Sequence, residues 1–194
     1  MAEGTKTDNT NLAAKLDLRR YFLQKYHGDG SARVLDCCQG DGTLWRQLRR
    51  EFPVASYWGV DLKKKPGRLA MDSARILAQP GWTENVIDID TYGGPWKHWI
   101  SMVPNLCQQT TVFLTLGRIS LTALSKEQQH SLGLGAINLP GGMGPKLIEQ
   151  ATHYCLHYAS SVAVRIIEGM TTATTGVTRY MGLRLEPIGQ RRSA

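Results

Sequence analysis

The chain has 194 residues, 42% of them hydrophobic and 20% charged, a size and balance that build one packed domain over 1–194 and exclude a disordered chain or a second catalytic module. Lysine and arginine outnumber aspartate and glutamate by 23 to 16, and the net charge of +7 turns the search for a partner toward polyanions, although basic proteins are also common for solubility alone. No run approaches the ~18 apolar residues of a membrane span and Met1 to Thr10 is polar, so the sequence predicts a cytoplasmic protein without a membrane partner.

Positions 1–10 and 189–194 read as flexible ends. From Asn11 to Tyr26, Leu12, Leu16 and Leu23 recur at helical steps with Ala13, Phe22 and Tyr26, predicting an N-terminal amphipathic helix. Ala32 to Cys38 is a short apolar strand ending at Gly40 and Gly42, and Thr43 to Phe52 then has the spacing of a helix through Leu44, Trp45, Leu48 and Phe52. Ser56 to Leu62 is a second strand, broken by Lys63-Lys64-Lys65-Pro66-Gly67, and Arg68 to Met71 is a third. Asn85 to Asp90 is a fourth strand with acids near its C-terminal end, followed by a helix from Trp96 to Leu106. Thr110 to Leu116 is a fifth strand, Ser125 to Leu134 and Pro145 to Tyr158 are helices, and 135–145 is a glycine- and proline-rich loop. Ser161 to Ile167 and Thr178 to Leu185 close the chain as a hairpin.

Strands alternating with helices predict a mostly parallel seven-stranded α/β sheet, with the last two strands an antiparallel pair and ligands at the carboxyl ends of the strands. The four cysteines, Cys37, Cys38, Cys107 and Cys155, have neither disulfide-framework nor zinc-site spacing and read as buried thiols; no metal ligand set is predicted. No histidine has an acidic or nucleophilic partner at an informative spacing, and no phosphate-cradling GxxxxGK[ST] is present.

The chemistry gathers after the strands. Asp36 ends the first, and Gly40 and Gly42 form the turn that opens the next helix, where glycine serves a close-approaching ligand or simply a tight turn. Asp61 ends the second strand about 20 residues later, the position from which an acid holds both hydroxyls of a ribose. The spacing DxxxGxG differs from the GxGxxG of nicotinamide and flavin sites.

On these residues the chain resembles the class I S-adenosylmethionine-dependent methyltransferases, from Arg33 to Pro187 and including the terminal hairpin. The resemblance implies their Rossmann-like seven-stranded fold and S-adenosyl-L-methionine as cofactor, with S-adenosyl-L-homocysteine as product. It places Asp36, Gly40 and Gly42 on the methionyl side, Asp61 at the ribose, Asp72 and Ser73 at the adenine, and Cys37, Asp41, Leu62 and Asp88 also in the donor set. Asp72-Ser73 reads equally as the N-cap of a short helix, Ala74 to Leu77.

Asp90-Thr91-Tyr92-Gly93-Gly94-Pro95, after the fourth strand, is similar to the Asp-Pro-Phe-Gly-Ser-Pro acceptor motif of the tRNA guanine-N2 dimethyltransferases, with Thr91 where that family has proline and Gly94 where it has serine or threonine. The similarity implies an N-methyltransferase acting on an exocyclic base amine of RNA or DNA, with Asp90 and Tyr92 catalytic, Gly93, Pro95 and Trp96 beside the base, and Lys63, Lys64 and Lys65 guiding the strand. The alternatives are a small-molecule methyltransferase and a donor-binding or nucleic-acid-binding module without turnover. In the bland reading Asp88 or Asp90 caps the helix at Pro95 and Tyr92 lies on a rim. A chain of one minimal domain also leaves room for a homodimer or a partner subunit that helps to hold the substrate.

Overall fold

The computed structural model describes residues 11–64, 69–91, 94–117, 125–132, 145–172 and 178–189. The expectations for 1–10, most of 189–194 and most of the 135–145 loop lie outside these residues. Along the chain run α1 (Leu12–His27), β1 (Arg33–Asp36), α2 (Thr43–Glu51), β2 (Ser56–Asp61), β3 (Leu69–Ala70), α3 (Ser73–Leu77), β4 (Val86–Ile89), α4 (Trp96–Met102), β5 (Thr110–Leu116), α5 (Lys126–Ser131), α6 (Pro145–Ser161), β6 (Val164–Thr172) and β7 (Arg179–Pro187).

The seven strands form one sheet in the order β3-β2-β1-β4-β5-β7-β6. β1 to β5 pair in parallel, whereas β7 runs antiparallel between β5 and β6, as the sequence predicts. The order reverses between β1 and β4, which opens a crevice at the carboxyl ends of those two strands.

Every residue of β4 and β5 is buried, because helices cover both faces of the sheet there. Successive side chains alternate between two cores. Leu35, Ile87, Val112 and Leu114 join Trp99, Met102 and Cys155 on one face; Val34, Val86 and Phe113 join Phe22, Trp45 and Leu48 on the other. Phe22 of α1 meets Phe113 edge-on with ring centroids 5.8 Å apart, and it lies so close to β7 that a Cβ at Gly182 would fall 2.5 Å from its ring. α1 is thereby seated on β5 and β7, with Lys15 and Arg19 on its buried side.

Several boundaries differ from the sequence reading. The helix after Pro95 stops at Met102 and continues as a 3-10 turn, Val103–Asn105, because Pro104 has no N–H to donate. α6 extends to Ser161, so β6 begins only after Ala163, which takes a left-handed φ of 58°. β6 then runs on to Thr172, with an irregularity at Ile166/Glu168 that leaves Ile167 unpaired and exposed. Of the cysteines, Cys37 and Cys155 are buried as expected, but Cys38 is half-buried and Cys107 exposed. No helix among the described residues is long and apolar enough to cross a membrane.

Candidate functional site

The loop after β1 is stitched across the ends of its neighbours. Cys37 N–H donates to the Asp88 carbonyl at 2.8 Å, Gln39 N–H to the Val60 carbonyl at 3.0 Å, and Gly42 N–H to the Gln39 carbonyl at 2.7 Å. Gly40 and Gly42 close this turn at φ of 55° and 67°, a region in which residues with a Cβ are strained. The Gly40 N–H donates to Asp61 Oδ2 at 3.0 Å and the Lys63 N–H to Asp61 Oδ1 at 2.9 Å, so the acid ending β2 and the glycine turn form one rim.

Three carboxylates meet at the crevice. Asp36 pairs across the β1/β4 ladder with Asp88, and Asp90 follows β4. Asp36 is buried, accepts from Tyr57 Oη at 2.8 Å, and is raised well above the usual carboxylate range by burial and then by the charge of Asp88.

Asp88 is 0% exposed and receives a bidentate pair from Arg19, Nε at 2.7 Å and Nη2 at 2.6 Å, with Trp45 Nε1 also at 2.7 Å. Burial opposes the Arg19 charge, but Asp88 outweighs it and holds the guanidinium above its ordinary value. The expected donor contact at Asp88 is therefore corrected: its carboxylate has no exposed surface and is turned to Arg19 and Trp45 inside the protein.

Asp90 keeps 21% side-chain exposure. Lys15 Nζ donates to its Oδ1 at 2.9 Å and Oδ2 at 2.7 Å, and Thr115 Oγ1 donates to Oδ1 at 2.6 Å. With two lone pairs per oxygen, Oδ2 retains one for a further donor. Asp90 thus does not cap α4, whose N-terminal position is Pro95 without a side-chain cap. The Thr91 hydroxyl, where the resembled motif has proline, is enclosed without a partner among the described residues.

At the other rim, Asp72 is the N-cap of α3, accepting from Ala74 N–H at 3.0 Å and Lys97 Nζ at 2.7 Å; Lys97 holds its carboxyl below the usual range. Ser73 is turned inward. Its hydroxyl donates to the Cys37 carbonyl at 2.8 Å and accepts at 2.9 Å from His98 Nε2, which burial keeps neutral by lowering its pKa to about 4. An adenine contact from the Ser73 side chain is corrected accordingly. A cleft of about 700 Å³ runs along α3 past Leu62, Met71, Asp72, Arg75, Ile76 and Trp82, joining the ends of β2 and β3.

Cys37 is buried at 2% exposure, so only its backbone faces the turn, whereas Asp41 is exposed and Gly42 half-buried. Lys63 and Lys64 are exposed beyond β2, and Lys65, Tyr92 and Gly93 lie outside the described residues. Pro95 and Trp96 are buried, Trp96 at 1%, which corrects their expected place beside a base; Trp96 packs with Trp99 and Met102 in the core. The residues that the sequence reading missed are Lys15, Arg19, Tyr57 and Thr115. Arg19 occupies position 19 of a 12, 16, 19, 23 stripe, and a charge where the stripe demands an apolar residue was the one available signal.

No protein-family model matches the chain, and a search of curated proteins finds no match either. Solved structures do match. Trm1 from Pyrococcus horikoshii, in complex with S-adenosyl-L-methionine, superposes with a TM-score of 0.69 and 13% identity over 98% of this chain, which spans 59% of the length of that protein. TYW2 of M. jannaschii, in complex with AdoMet, gives 0.57 and 9% identity over 96% of this chain and 80% of that one. The N-methyltransferase NodS from Bradyrhizobium japonicum WM9, with S-adenosyl-L-homocysteine, gives 0.52 and 9% over 91% and 88%. The chain has the fold of the S-adenosylmethionine-dependent methyltransferases.

Proposed function

On that fold, we propose that the protein is an S-adenosylmethionine-dependent N-methyltransferase acting on an exocyclic base amine of RNA or DNA. The observation that carries the proposal is the 3.0 Å bond from the Gly40 N–H to Asp61, which brings a left-handed glycine turn and a strand-end acid onto one rim of the crevice. These residues fit the donor: the left-handed turn at Gly40 and Gly42 presents backbone beside Asp61, Asp61 offers acceptors to a ribose diol, and Leu62, Met71 and Asp72 border a cleft on the adenine side. The cofactor supplies, when bound, an electrophilic sulfonium methyl group. Trm1, TYW2 and NodS, with donor or product bound on the same fold, support this half of the reading.

Asp90 would perform the acceptor half. Lys15 and Thr115 fix its carboxylate and leave one Oδ2 lone pair for an N–H of the incoming amine. That bond aligns the nitrogen lone pair and stabilises the positive charge that grows on nitrogen as the N–C bond forms and the methyl–sulfur bond breaks to leave a thioether, and Asp90 would then accept the amine proton. Tyr92 would stack on the base, a contact worth roughly 1–3 kcal/mol in single-strand grooves. A second reading, a donor-binding module without turnover, is favoured by the Lys15–Asp90 pair, which already takes three of the four acceptor positions together with Thr115.

Incubation with methyl-labelled donor and pooled cellular RNA or DNA separates the two. Label incorporation that Asp90→Asn abolishes, with donor affinity unchanged, is expected. Incorporation unaffected by Asp90→Asn would overturn the role of Asp90, and absence of transfer despite donor binding would establish the module.

A further inference from the structure

Beside the glycine turn, α2 and β2 enclose a second groove of about 460 Å³ whose lining includes Gln39, Asp41, Arg46, Arg49, Arg50 and Tyr57. The α2 sequence TLWRQLRRE sends Trp45 and Leu48 into the core and leaves the three arginines exposed. Residues three and four apart on a helix are neighbours, so Arg46 has both Arg49 and Arg50 beside it and the three charges repel.

Nothing on the helix relieves this. Its one acid, Glu51, is taken by Arg20 of α1 through bonds of 2.7 and 2.8 Å, and among the described residues none of the three arginines makes an ion pair. The Arg49 guanidinium lies over the Tyr57 ring, 4.7 Å from its centroid, and Tyr57 is itself pinned to Asp36. Arg46 is anchored to Thr43 Oγ1 at 2.9 Å through one nitrogen. A stacked or anchored guanidinium keeps edge N–H donors in the fork that matches two phosphate oxygens.

We propose that this groove binds phosphodiester groups of a single-stranded polynucleotide and leads the acceptor strand past the donor turn. The proposal rests on the nucleic-acid reading above and adds a site to it. Gln39, Asp41 and Gly42 belong both to the turn and to the groove, so a strand held there passes directly beside the donor residues. The shape favours a polynucleotide over a bilayer: the groove is concave, and none of the exposed large apolar side chains of the described residues lines it. Arg19, by contrast, is spent on Asp88 and Arg20 on Glu51 and Asp17, so α1 lends the surface little free positive charge.

The test is fluorescence anisotropy with a labelled mixed-sequence single-stranded RNA over a salt series, comparing the wild type with Arg46→Gln/Arg49→Gln/Arg50→Gln. All three side chains are exposed, and unchanged S-adenosylmethionine affinity by calorimetry checks that the variant is folded. The variant should bind at least ~10-fold more weakly, with the slope of log K against log salt reduced by about 2, since each phosphate contact on a single strand contributes about 0.7. Arg165→Gln/Lys126→Gln, away from α2, should bind as the wild type does.

RNA binding that is equal in the triple variant would overturn the groove and leave the nucleic-acid reading standing. Absence of binding by the wild type both to this RNA and to a single-stranded DNA of the same sequence would overturn both, while the calorimetry still reports separately on the donor. Complete competition by millimolar inorganic phosphate would make the groove a single-phosphate site. Preferential capture by phosphatidylserine vesicles would make it a membrane contact. Either result overturns the proposal.

Discussion

Replacing Asp88 by alanine removes the partner of a guanidinium that is 1% exposed and cannot shed its charge, and it leaves the buried Trp45 N–H unpaired. Breaking one side of a buried pair costs about 3–5 kcal/mol, and an orphaned buried donor costs about 1–3 kcal/mol. The two losses share one carboxylate and do not simply add, so the expected destabilisation is about 4–6 kcal/mol. Set against the roughly 5–15 kcal/mol that hold a domain together, this leaves the variant marginal or unfolded. Urea unfolding followed by circular dichroism measures it. Because a buried pair is often replaceable by apolar groups of similar volume, Arg19→Met/Asp88→Leu should recover most of the loss and keep the fold measurable. A cost below about 1 kcal/mol for Asp88→Ala, or a double variant no better than the single one, would refute the reasoning.

Lys15→Met and Thr115→Val each free Asp90 to rotate; if Asp90 orients the amine, turnover in the labelled-methyl assay should fall about 10- to 100-fold with donor affinity unchanged. His27 and His98 are both lowered to about 4, largely by burial. They stay neutral in the folded chain where the unfolded chain protonates them, so stability should decline as pH falls from about 6.5 toward 4, by at most about 1.4 kcal/mol per pH unit for each. Urea midpoints that are flat over this range would contradict the burial argument. Gly182→Ala drives a methyl group against Phe22 and should cost about 1–3 kcal/mol in the same assay, with relief by Phe22→Leu.

What the sequence made legible is local. Strand, glycine turn and helix succeed one another within 33–51, and acids at strand ends mark the crevice because the chain itself announces where each strand stops. Asp36, Asp61 and Asp90 could be placed this way, and so could the antiparallel hairpin. Contacts between residues far apart in the chain were not legible. Lys15 and Asp90 are 75 positions apart, and Arg19 and Asp88 are 69 apart, so no spacing rule connects them. Only the packing of α1 across β5 and β7 brings Lys15 and Arg19 to the end of β4. Trp96 was misplaced for a related reason: its position next to the acceptor stretch suggested a ligand contact, while the 96, 99, 102 and 103 periodicity was that of a buried helix face. The arginines of α1 and α2 look alike in sequence, and only the structure divides them into spent ion pairs and a cationic groove.

Calorimetric titration of the wild type and of Asp61→Ala with S-adenosylmethionine tests the central claim most directly. Saturable one-to-one binding that Asp61→Ala weakens by at least ~10-fold, the loss of about 1.4 kcal/mol that one good ribose hydrogen bond provides, is the predicted result. Absence of binding by the folded wild type, or equal binding by Asp61→Ala, would contradict the account.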